Sequence, residues 1–172
     1  MSVLNINIYG DGVLRDKAKP VKEVNKKIID LINNMADTMY KVPGVGLAAN
    51  QVGILKRIIV VDVTGGENGR ENFIALINPE IVEKDGLLEE DEGCLSLPGI
   101  TASVKRFAKV TVCGLDIKGK PVKITASDLL SRVLQHEIDH LDGILFVDYL
   151  SFTQKIFVQN KLKGLKKRRN KK

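Results

Sequence analysis

The chain has 172 residues, 44% apolar and 28% charged, with a formal net charge of +6. This is the composition of an ordinary globular domain, and the length allows a core that needs no disulfide staples. No run of 18 apolar residues is present, Met1 to Gly10 lacks a basic-then-apolar signal pattern, and there are two cysteines, Cys94 and Cys113; a spanning helix, secretion and a disulfide scaffold are therefore not expected, and a reducing cytoplasm is.

In chain order, Val24, Ile28, Leu31, Ile32, Met35 and Met39 recur at spacings of three and four and predict an amphipathic helix over Val24 to Lys41, stopped by Pro43-Gly44. Arg57 to Val63 has the composition of a buried strand, and Gly65-Gly66 and Asn68-Gly69 mark a flexible loop after it. Further strands are predicted at Phe73 to Ile77, Thr101 to Val104, Val110 to Leu115 and Val122 to Ile124, with a hairpin connection at Asp116 to Lys120. Thr125 to Asp128 offers N-caps for a helix through Leu129 to Leu141, ended by Gly143. A third helix is predicted over Phe152 to Lys166, with Ile156, Phe157, Leu162 and Leu165 toward the body. The pattern is one α+β domain.

The charge is uneven. Lys161 to Lys172 holds eight basic residues and no acid, and taking those from the chain's 27 leaves 19 against 21 acidic residues. A slightly acidic body with a cationic tail reads as a globule with an attachment device for a polyanion, or as a solvated terminus. The tail has no aromatic residue, so phosphate contact suits it better than base stacking.

Both histidines of the chain lie in His136-Glu137-Ile138-Asp139-His140. Positions i and i+4 share one helix face, so two imidazoles can hold one divalent metal while the glutamate between them reaches a water at the ion. The third donor sets the class. The position six after His140 is Phe146, and no glutamate follows Glu137, which excludes two common metallopeptidase patterns. Asp139, Asp142 and Asp148 lie inside or close to the motif and match neither. Upstream, Cys94 in Glu92-Gly93-Cys94-Leu95-Ser96 would complete a Cys/His/His set with an open fourth position. Cys113 sits in a predicted strand and reads as a small buried side chain.

Three motifs, in order, resemble those of the peptide deformylases: Gly44-Val45-Gly46-Leu47-Ala48-Ala49-Asn50-Gln51 is similar to GxGxAAxQ, Glu92 to Ser96 to EGCLS, and His136 to His140 to HExDH. The length and the basic C-terminal helix resemble the shorter bacterial class. The resemblance implies an α+β domain of antiparallel strands around a central metal-binding helix, with N-terminal and C-terminal helices, and a division into a deformylase domain at 1–150 and a helix with basic tail at 151–172. It implies removal of the formyl group from the N-formylmethionine of nascent polypeptides. It further implies Cys94, His136 and His140 as ligands to one Fe²⁺ per chain, with Zn²⁺, Ni²⁺ or Co²⁺ able to replace it in purified protein. Glu137 is then the general acid/base, and Gln51 with the Leu95 backbone N–H stabilises the oxyanion. Val45, Gly46, Leu129, Arg132 (through its aliphatic stem) and Val133 are expected to shape a methionine slot, Val133 equally well serving as core. Asp139 is expected to point away from the metal. The expected partners are formylated nascent chains and, through the tail, the ribosome; no membrane partner is expected, and the chain is expected to be a monomer. A peptidase acting on internal bonds and a non-catalytic RNA-binding protein are the competing readings; the missing third histidine and the intact Glu137, respectively, count against them.

Overall fold

Ile58, Ile59, Val60 and Val61 are each 0% exposed, which explains why this run is continuously apolar instead of alternating. In the computed structural model, which describes residues 3–67, 69 and 72–169, Ile59 and Val61 face one helix while Ile58 and Val60 face another. Asn68 of the glycine-rich loop and the last three tail residues, Asn170, Lys171 and Lys172, lie outside the described residues.

The elements are α1 (Lys26–Lys41), β1 (Gly46–Ala48), β2 (Ile58–Val61), β3 (Ile74–Asp85), β4 (Leu88–Gly93), β5 (Thr101–Arg106), β6 (Lys109–Leu115), β7 (Pro121–Ser127), α2 (Asp128–Leu141) and α3 (Phe152–Arg169), with short 3₁₀ turns between them. β1, β2, β3, β6 and β7 form, in that order, one sheet whose paired strands all run antiparallel. β4 and β5 form a separate antiparallel hairpin. The architecture is the expected α+β domain, with α1 on one face of the sheet and α2 on the other.

The local chemistry accounts for the boundaries. The Asn25 side chain accepts the Ile28 N–H at 3.3 Å and starts α1. Its apolar stripe, Ile28, Ile32, Met35 and Met39, packs on Leu47, Ile58, Val60 and Ile77. α2 lays Val133, Leu134, Ile138 and Leu141 on Ile59, Val61, Val110 and Val112. Asp116 turns β6 into β7 by accepting the N–H groups of Lys118 and Lys120 through one carboxylate oxygen. No described helix is long and apolar enough to cross a membrane.

Four expectations are corrected. β3 runs on to Asp85, well past Ile77, because two irregularities between Ile77 and Glu83 let it leave β2 and continue along β6. β4, with sequence Leu-Glu-Glu-Asp-Glu-Gly, was not expected as a strand because acidic residues lack strand propensity. β1 was also not anticipated, being only three residues long. On α3, Ile156 and Phe157 do not face the body; they are 53% and 78% exposed, while Val158 and Leu165 are buried. The inward stripe runs Gln154, Val158, Leu162 and Leu165, because Gln154 anchors to the Ser103 carbonyl and fixes the helix rotation.

Gly143, just beyond α2, has φ 75°, and a Cβ there would collide with the Arg15 carbonyl oxygen. Left-handed backbone alone costs an L side chain about 1–2 kcal/mol, and the collision with backbone adds to it. Gly143→Ala therefore lowers the melting temperature; a thermal unfolding curve matching that of the parent chain would show that this junction relaxes freely.

Candidate metal centre

His136 and His140, one turn apart on α2, bring their Nε2 atoms to 3.2 Å of each other with the rings edge to face. Cys94 lies just after β4, in a turn closed by the Leu97 N–H on the Cys94 carbonyl at 2.9 Å. That turn places Sγ 3.2 Å from His140 Nε2, and the three donor atoms lie within 4.8 Å of one another. Bonds of about 2.1 Å to nitrogen and 2.3 Å to sulfur around a tetrahedral ion separate such donors by roughly 3.3–3.6 Å. The set therefore fits a single divalent ion, and its thiolate and imidazoles suit a transition metal better than magnesium or calcium. Cys113 stands apart, in β6 opposite Lys123 of β7.

The His136 imidazole is held from behind. Glu92 Oε2 lies 3.0 Å from His136 Nδ1, which leaves Nε2 facing the other two donors. Burial opposes ionisation of Glu92, but its hydrogen bonds with His136 and Arg106 outweigh burial and hold its pKa at about 2. Burial also opposes charge on His136, where hydrogen bonds to Cys94 and Glu92 prevail and raise its pKa. His140, desolvated and close to His136, is pushed the other way. The Asn50 amide donates to the His140 carbonyl and anchors that end of the helix to the turn after β1.

Glu137 is 4% exposed, and its Oε2 has no hydrogen-bond partner among the described residues. Burial lifts its pKa to about 7, where a carboxyl can both accept and return a proton. The carboxyl fits only because Gly46 lacks a side chain: a Cβ at Gly46 would overlap Glu137 Oε1. Beside it, the Ala48 N–H donates to Gln51 Oε1 at 2.8 Å, which fixes the amide orientation. Gln51 Nε2 then points toward Ser96 Oγ at 3.2 Å and Cys94 Sγ at 3.6 Å. The Leu95 N–H has no acceptor among the described residues.

A cleft of about 430 Å³ opens onto these groups. Val45, Gly46, Gln51, Cys94, Leu95, Leu129, Arg132, Val133, His136 and Glu137 all border it, while His140 lies beneath at 1% exposed. Val45 and Leu129 form its rim at 37% and 45% exposed. Val133 both borders the cleft and packs into the core under α2. The Arg132 guanidinium is held by the Glu90 carboxylate and the Asp91 carbonyl. Asp139 does point away from the donor set, toward Arg106.

Sequence reasoning missed Glu92, Ser96 and Arg106 as parts of this site. Glu92 and Ser96 lie at the two ends of the motif around Cys94, but their partners come from other elements. Arg106 gave no signal, since an arginine ending a strand usually faces water.

The chain matches the family model described as polypeptide deformylase over residues 3–155. It is 57% identical over 148 residues to a peptide deformylase of Halothermothrix orenii, covering 86% of this chain and 94% of that protein. It is 49% identical over 166 residues to a peptide deformylase of Thermodesulfovibrio yellowstonii, covering 96% and 100%. Among solved structures, a peptide deformylase from Legionella pneumophila superposes with a TM-score of 0.90 at 44% identity, covering 99% of both chains. With the three motifs brought to one cleft and these likenesses spanning nearly its whole length, the chain belongs to the polypeptide deformylase family.

Proposed function

We propose that Cys94, His136 and His140 hold one ion, natively Fe²⁺, and that Glu137, Gln51 and Leu95 carry out the family's reaction beside it. That reaction is removal of the N-formyl group from nascent polypeptides, and the chain is a metal-dependent hydrolase. The observation that carries the residue assignment is the buried Glu137 carboxyl, its Oε2 without a partner among the described residues, next to three converging donors.

A divalent ion held there would act as a Lewis acid, making water nucleophilic near neutral pH and drawing charge from a carbonyl oxygen. Glu137 takes the proton of the attacking water. As the C–N bond breaks it delivers a proton to the departing amine, leaving formate and a free N-terminus. Gln51 Nε2 and the Leu95 N–H donate to the oxygen that becomes negative. Their fixed orientation, set by Ala48 for the glutamine, means that little reorganisation accompanies the reaction. A carboxyl with a pKa near 7 suits both proton steps; a bound cation lowers it and favours the accepting form first.

Methionine would enter the cleft beside Val45, Gly46, Leu129, Arg132 and Val133. With its two Nη atoms held by Glu90 and the Asp91 carbonyl, Arg132 lays its aliphatic stem along the slot. Residues 1–150 then carry the chemistry, and 151–172 deliver it. The cationic end of α3 would bind ribosomal RNA phosphates in the cytoplasm, raising the effective concentration of a monomeric enzyme where formylated chains emerge.

A formyl-methionyl peptide should release formate far faster than its acetyl counterpart releases acetate. Comparable kcat/KM values for the two would overturn the substrate assignment. Glu137→Gln should keep its metal and lose rate by about 10²-fold or more; near-normal turnover would move the proton transfer to another group.

Ligation separates the cysteines. Cys94→Ala should lose metal and activity together, and Cys113→Ala should keep both, as read by metal analysis of anaerobically purified protein. Full occupancy in Cys94→Ala would remove the thiolate from the site.

Because Leu165 belongs to the core, the tail is better tested by charge than by truncation. Changing Lys163, Lys167, Lys171 and Lys172 to Gln should spare cleavage of a short formyl peptide. Sedimentation with ribosomes should weaken by about tenfold or more at low salt and show a shallower salt dependence. Unchanged co-sedimentation would make the tail a solvated terminus.

A further inference from the structure

Arg106 ends β5 at 4% exposed, and no step of the chemistry above uses it. We propose that Arg106 is a positioning residue for the metal ligand His136, acting through Glu92. The inference rests on the metal reading of Cys94, His136 and His140.

The guanidinium meets Glu92 with two parallel bonds, Nε to Oε1 at 2.8 Å and Nη2 to Oε2 at 3.0 Å. Oε2 is the same oxygen that lies 3.0 Å from His136 Nδ1. Glu92 cannot turn away from the imidazole without breaking one arm of this fork. The third nitrogen, Nη1, is paired with Asp139, three residues after His136 on α2. Above the guanidinium carbon, the Tyr149 ring lies at 4.8 Å. The plane of Arg106 is thus fixed from the hairpin, from the helix and from one face.

Two consequences follow from this arrangement. The imidazole is pinned with Nδ1–H donating, so that the Nε2 lone pair is directed toward Cys94 and His140. The hairpin is also tied to α2 at the level of the site. Glu92 precedes Cys94 by two residues, so the tie sets the spacing between thiolate and imidazoles. A planar fork is needed for both, and lysine, a point charge with rotating donors, supplies neither arm in register.

A purely structural ion pair would stabilise the fold and leave the ligand geometry alone. The test is Arg106→Lys in the Co²⁺-loaded protein, read by the visible d–d and thiolate charge-transfer bands and by the rate of Co²⁺ loss to a chelator. The melting temperature of the metal-free form is the control. The proposal expects shifted bands and loss faster by about 10- to 100-fold, the usual effect of removing support behind a metal-bound histidine. Parent-like bands and loss rate with only a lower melting temperature would overturn it. Should Arg106→Lys fail to fold, Glu92→Gln carries the test, because its amide cannot satisfy both the arginine fork and the imidazole N–H. Shifted bands and faster loss in that variant support the relay, and unchanged values overturn it. A parent protein that binds no Co²⁺ would instead overturn the metal reading, and the inference with it.

Discussion

The structure depends on burying a helix that carries charge. α2 packs against the sheet with Val133, Leu134, Ile138 and Leu141, and the hairpin and adjoining loop close over its other side. That burial removes Arg132, Glu137 and His140 from water. An isolated charge moved into such surroundings costs several kcal/mol even after relaxation, so each needs a partner. Arg132 has Glu90, and the neighbouring Arg106 has Glu92 and Asp139. Glu137 has no ion pair among the described residues, and its Oε2, like Nδ1 of His140, has no hydrogen-bond partner there. The fold tolerates it by raising its pKa, and that is the property a proton shuttle needs near neutral pH.

Close approach is the second constraint. The Glu137 carboxylate, on a helix packed beside β1, needs room that any side chain would fill, and Gly46 leaves it. The same strand carries Ala48, whose N–H fixes the Gln51 amide. Three residues of backbone thus set both the space for the Glu137 carboxyl and the direction of the Gln51 amide. β2 behind them, covered on both faces, supplies a rigid support on which small errors in position are not absorbed.

The C-terminal helix is part of this support. Val158 and Leu165 share a buried cluster with Leu97, Ile100 and Phe146, and Cys94 packs against that cluster. Lys161 also donates to the Gly99 carbonyl in the same loop. α3 therefore sits behind the loop that carries Cys94. Phe152 and Phe157 remain on the solvent side at 81% and 78% exposed.

Local pattern was enough to read much of this protein. The helical spacing from Val24 to Met39, the buried run at Ile58 to Val61 and the hairpin at Asp116 each announce themselves, because helix and strand periodicities and turn chemistry are short-range. The donor set was legible for a related reason: His136 and His140 are neighbours through helix geometry alone, and Cys94 stands in a distinctive loop. Whatever depended on which surfaces meet was not legible. The acidic β4 is a strand only because β5 pairs with it. Val158, and not Phe157, is buried because Gln154 sets the rotation of α3. Arg106 reaches Glu92 and Asp139 from a third element, at separations of 14 and 33 residues. A sequence encodes periodicity and local hydrogen bonding directly; the partner of a buried charge is decided only when distant elements pack, since burial is what makes that partner necessary.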